Sequence, residues 1–101
     1  MTRSDFLVEI EVVPDGLPEG HDLDRLRAAE SARAAELGAA GVLRRLWRPA
    51  GPGWRNVGIW TGADAAEVDR AVRSLPMAAH LRWTVQELLP HPNDPGPVQP
   101  S

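Results

Sequence analysis

Glu30 places a carboxylate inside an apolar helical stripe, and that position is where chemistry first shows in this sequence. Around it the chain reads LDRLRAAESARAAEL, in which Leu23, Leu26, Ala34 and Leu37 recur at helical spacing. At about 100° per residue, Glu30 projects close to the centre of that arc, one turn beyond Leu26. An acid on the face that a helix normally buries must be paired, protonated or used. Arg27, three residues earlier, is within side-chain reach, so an ion pair at the edge of the stripe is the competing reading. A buried and unpaired carboxylate has its pKa lifted towards neutrality. It can then take a proton from a carbon beside a carbonyl and return it elsewhere.

Other chemistry-bearing side chains are sparse. His80 precedes the last apolar run and is an alternative acid or base, His91 stands in a proline-rich tail, and His21 falls in the first loop. Three dispersed histidines lack the close spacing of a ligand pair, and with no cysteine neither a zinc site nor a thiolate nucleophile is expected. GxGxxG, P-loop and GxSxG patterns are missing, so nucleotide binding and serine hydrolysis have no support. Neither metal nor cofactor is expected.

The elements that must position Glu30 follow from changes of period. Phe6, Val8, Ile10 and Val12 alternate with Leu7, Glu9, Glu11 and Val13, a strand with one strongly apolar face. PDGLPEG breaks it, and Asp22 is the expected cap of the helix carrying Glu30, with Gly38 and Gly41 offering its stop. Strands are expected over residues 42–49 and 54–60, separated by the GPG turn. A second helix begins at the cap Asp64, with Glu67 three residues on, and its stripe is Ala65, Val68, Val72 and Leu75. Leu81, Trp83 and Val85 mark the last strand. The order β-α-β-β-α-β predicts an α+β, ferredoxin-like sandwich: a four-stranded antiparallel sheet with both helices on one face. Residues 1–90 form one domain, and residues 91–101 a tail too rich in proline for regular structure. Trp47, Trp54, Trp60 and Trp83 all fall in expected strands. A core this small does not easily hide four indoles, so some are expected to face a ligand or a partner subunit.

Composition narrows the classes. A chain of 101 residues fits a single domain with a modest core, which often gains from self-association. The net charge of −3 argues against nucleic acid, and no apolar run approaches the roughly 18–20 residues that span a bilayer. The N-terminus does not read as a signal peptide. A soluble, cytoplasmic protein is expected.

Three segments carry a resemblance. RRLWRPAG at 44–51, SLPMAAHLRWTVQELLPHPND at 74–94 and the glutamate of AAES at 28–31 look like muconolactone isomerase, in the same order and at nearly the same spacing. The resemblance implies small ferredoxin-like subunits assembled into rings, commonly decamers, that isomerise an unsaturated lactone in aromatic-compound breakdown without metal or cofactor. It implies Glu30 as the proton-transfer base and Arg48, the arginine of LWR, as the group that holds the substrate's carboxylate or carbonyl. The family's lysine three residues before the glutamate is Arg27 here, a poorer proton donor or acceptor at neutral pH. Its histidine and tyrosine after the second strand are replaced by Pro52, Gly53 and Trp54, and a Pro-Tyr before the last strand by Ala79 and His80. Arg27, Trp54, His80 and His91 are therefore the expected substrate-binding residues.

The expectation is a homo-oligomeric, cofactor-independent isomerase acting on a small lactone or related carbonyl compound. Its rivals are a cyclase or tailoring enzyme for a polycyclic carbonyl compound in natural-product biosynthesis, favoured slightly by the altered pocket residues, and a non-catalytic ligand-binding subunit.

Overall fold

The alternation of the first strand decides which side of the sheet becomes the core. In the computed structural model, which describes residues 2–96, β1 (Ser4–Val12) buries Phe6, Val8 and Ile10, while Asp5, Glu9 and Glu11 stay exposed. On β3 (Arg55–Gly62), Trp60 lies opposite Phe6 and is 1% exposed. On β4 (Leu81–Leu88), Trp83 and Val85 lie opposite Ile10 and Val8. Directly opposed residues share a face, so these side chains form one layer. β2 (Leu43–Trp47) pairs with the other edge of β3, giving an antiparallel sheet in the order β2-β3-β1-β4. Two helices, α1 (Gly20–Ala39) and α2 (Ala65–Arg73), cover that layer, contributing Leu37 from the first and Val68 and Val72 from the second. Each such side chain withdrawn from water stabilises the fold by roughly 1.5–3 kcal/mol. The result is the ferredoxin-like α+β sandwich expected from the element order. Among the described residues no helix is long and apolar enough to cross a membrane.

Asp64 caps α2 as expected, accepting from the Glu67 N–H at 2.8 Å. α1 differs. It begins at Gly20 behind Glu19, which makes no capping hydrogen bond through its side chain, and Asp22 lies in the first turn, 2.6 Å from Arg25. An acid there still complements the positive end of the helix dipole, which explains why the composition pointed to this region but not to the right residue. His21 accordingly belongs to α1 rather than to the loop before it. The tryptophans divide as well. Trp60 is in the core, Trp83 is half-buried with its indole N–H donated to Asp69 at 2.9 Å, and Trp47 and Trp54 are 46% and 51% exposed. Trp54 lies in the turn before β3, not in the strand.

β2 carries an irregularity that the sequence does not announce. The register shifts between Leu43 and Arg45, so Leu43 opposes Trp60 and Leu46 opposes Gly58, both on the helix side. Gly58 makes this pairing possible. A Cβ there would sit 2.7 Å from the Arg45 carbonyl oxygen and 3.0 Å from Leu46 Cδ1. Residues 97–101 of the proline-rich tail lie outside the described residues.

Candidate active site

α1 supplies one wall of a cleft of about 850 Å³, and the connection between β2 and β3 supplies the other. Arg27 and Glu30 line it from the helix, Arg48 and Trp54 from the connection, Asn56 from β3, and Met77 from the turn after α2. Leu46 faces the helices, and Arg48, directly after the last residue of β2, lines the cleft beside it. Glu30 and Arg48 thus line one cleft within a single chain.

Glu30 is half-buried, and its Oε1 accepts a hydrogen bond from the Met77 N–H at 2.9 Å. Burial pushes its carboxyl up from the ordinary value of 4.5, outweighing the Met77 hydrogen bond, which pulls it down. Arg27 is not its partner. The Arg27 guanidinium lies over the Trp54 ring, 5.0 Å from the centroid, and no Arg27–Glu30 ion pair forms among the described residues. The ion-pair reading of Glu30 gives way to this arrangement, because cation–π attraction draws the guanidinium to the exposed indole at the cleft mouth. Arg27, Arg48 and Arg55 all line the cleft and pair with no carboxylate among the described residues. A chain of net charge −3 therefore holds a locally positive cleft, which favours an anionic ligand.

The two remaining expected site residues lie elsewhere. His80 ends a short 3-10 turn, where its carbonyl accepts from the Val13 N–H at 2.8 Å, and it is not part of the cleft lining. His91 is exposed in the segment after β4, its Nδ1 accepting from the Asn93 N–H at 3.0 Å. No group of three His, Asp or Glu side chains among the described residues is placed to hold a metal. A second cleft, about 470 Å³, opens on the opposite side of the sheet, where Glu11 and Arg82 pair at 3.0 Å. Several residues of the main cleft were not anticipated, Arg55, Met77 and Asn56 among them. Met77 acts through its backbone, for which a sequence carries no signal. Asn56 had one: it is a lone amide inside the apolar run WRNVGIW.

The model of the muconolactone delta-isomerase family matches residues 5–94. The chain belongs to this family. All the cleft residues named above lie within the matched segment. Among solved structures, the chain is similar to a crystal structure of muconolactone isomerase, with a TM-score of 0.79 and 23% identity, covering 95% of this chain and 99% of that one. At that identity the likeness speaks to the fold. No curated protein sequence matches. Within the muconolactone delta-isomerase family, then, this chain holds a glutamate and three arginines in one cleft, with a tryptophan at its mouth.

Proposed function

We propose that the protein is a cofactor-independent isomerase that moves a proton and a double bond within a small unsaturated lactone. The state of Glu30 carries the reading: a half-buried carboxylate with raised proton affinity and no cation bound to it, in a cleft that also holds Arg48. Glu30 takes a proton from ring carbon beside, or conjugated to, a carbonyl. The bonding pair moves into the conjugated system, and negative charge appears on the carbonyl oxygen. Arg48 stabilises that dienolate oxygen, a role that elsewhere contributes about 2.7–4 kcal/mol. Glu30 then returns the proton to the far end of the system, so product and substrate are isomers and no electron acceptor is consumed. Arg27, held on Trp54, keeps its charge off Glu30 and remains free to meet a carboxylate on the substrate.

The test is turnover of muconolactone followed by absorbance, with Glu30→Gln as control. Glutamine keeps an acceptor for the Met77 N–H, so the fold is preserved while the base is lost. The expected result is turnover by the wild type that falls by about 10²–10⁴-fold in the variant. Equal rates would remove Glu30 from the mechanism.

The size of the cleft favours one alternative. At about 850 Å³ it lies near the upper end of the roughly 300–1,000 Å³ that holds drug-sized ligands. A cyclase or tailoring enzyme acting on a polycyclic carbonyl compound uses the same proton abstraction. A folded wild type inert towards muconolactone but active on a larger enolisable ring decides for it.

We also propose that the chain works as a homo-oligomer. Among the described residues no helix covers the side of the sheet on which Leu7, Val57 and Ile59 align, and Trp47, opposite Val57 on that side, is 46% exposed.

A further inference from the structure

Two buried polar atoms among the described residues have no hydrogen-bond partner: the amide oxygen of Asn56 and the indole nitrogen of Trp60. They stand on the same face of β3, two residues to either side of Gly58. The indole nitrogen lies 3.3 Å from where a Gly58 Cβ would be, so the ring leans back along the strand towards Asn56. The orphan donor is thereby displaced from its own strand position towards the orphan acceptor on the same face. Asn56 lines the cleft that holds Glu30 and Arg48. Leaving a buried polar atom unpaired costs about 1–3 kcal/mol, a cost that a ligand offsets if it supplies the missing partner.

We propose that Asn56 is a substrate-binding residue, and that among rings bearing a carboxylate or carbonyl oxygen this cleft prefers those that also carry a hydroxyl group. The inference rests on reading the Glu30–Arg48 cleft as the substrate site. A hydroxyl both donates and accepts, which matches an acceptor at Asn56 with the Trp60 donor on the same face of β3. The arginines of the cleft are donors only, and they meet the carboxylate or carbonyl end. Glu30 is engaged in proton transfer, so the amide is the group left to tell a hydroxylated ring from a bare one. Sites built to hydrogen-bond a substrate hydroxyl discriminate strongly against the analogue lacking it. The rival occupant is a trapped water bridging the two orphan atoms, which has a structural role and no effect on ligand choice.

Calorimetric titration of the full chain with benzoate and with 3- and 4-hydroxybenzoate separates the two. All three probes carry a ring and a carboxylate, and only the last two add a hydroxyl. Wild type is expected to bind the better hydroxybenzoate about tenfold more tightly than benzoate. Asn56→Leu, close in volume, is expected to bind the acids equally without a fall in Tm. Asn56→Asp keeps an acceptor and is expected to keep the preference while binding every anion more weakly. The inference is overturned if wild type shows no preference or binds none of the acids, or if Asn56→Leu retains the preference. A fall in Tm with the preference intact identifies the structural water. Since binding is read without turnover, failure here is distinguishable from failure of the isomerase reading, which depends on the Glu30→Gln rates.

Discussion

Glu30 holds its proton more tightly in the folded chain than in the unfolded one, and the sign of that difference governs its contribution to stability. Between 4.5 and its raised folded pKa, the folded state binds more protons, so the free energy of unfolding falls as pH rises through that interval. The ionised carboxylate opposes folding above the interval and has no such effect below 4.5. Glu30→Gln should therefore melt at or above the wild-type temperature near neutral pH, and the gap should close on acidification; melting curves across pH check it. With Glu30 as the proposed base, the same ionisation sets activity. The kcat/KM for muconolactone should decline as pH falls through the raised pKa, because a protonated base abstracts nothing. Arg48→Ala should lower kcat by about 10²–10³-fold, and Arg48→Lys should recover part of this, since charge survives but the planar fork does not. A change confined to KM would mean that Arg48 binds substrate without acting on the transition state. Of these residues, Glu30 was legible because a carboxylate interrupts an apolar period. Arg27's position was not, because its partner Trp54 comes from a turn distant in sequence.

Gly58 sets how closely β2 lies against β3, and Arg48 directly follows β2. Gly58→Ala drives a methyl group into the Arg45 carbonyl, a backbone atom with little freedom to yield. It should cost about 1–3 kcal/mol in a urea titration and, by moving β2, lower turnover as well. α2 is fastened to β4 by a different device. The Trp83 N–H, and after it Arg73, holds the Asp69 carboxyl below its ordinary value of 3.8. A lowered acid contributes stability above 3.8 that is lost as pH falls through its folded pKa. Trp83→Phe should lose about 1 kcal/mol at neutral pH, and less in acid. The strands and α2 were legible because alternation and a capping aspartate mark them directly. The start of α1 was not, since Glu19 and Gly20 offer no capping side chain. The place of Arg48 was hidden too, because it follows the last residue of β2, where strand parity no longer applies.

Across the whole molecule, charge and apolar surface are unevenly distributed. The positive cleft in a chain of net charge −3 should make KM for an anionic substrate rise with ionic strength, as screening weakens its attraction to the arginines. The uncovered side of the sheet should give a solution mass of at least two chains by sedimentation, reduced by Ile59→Asp on that surface. Since one chain brings Glu30 and Arg48 together, a dissociated variant should retain measurable turnover. The architecture was legible because element order alone selects the ferredoxin-like sandwich. The cleft was not, because its walls come from parts of the chain that only the fold brings together.

The hydrogen bond from the Met77 N–H to Glu30 reaches beyond anchoring a helix. It occupies one carboxyl oxygen and fixes the plane of the group, leaving the second oxygen to carry the proton. With Glu30 as the base, a single atom on one side of the substrate ring both removes and redelivers hydrogen. The isomerisation is then suprafacial, and part of a deuterium label at the donor carbon reappears at the acceptor carbon on the same face of the ring.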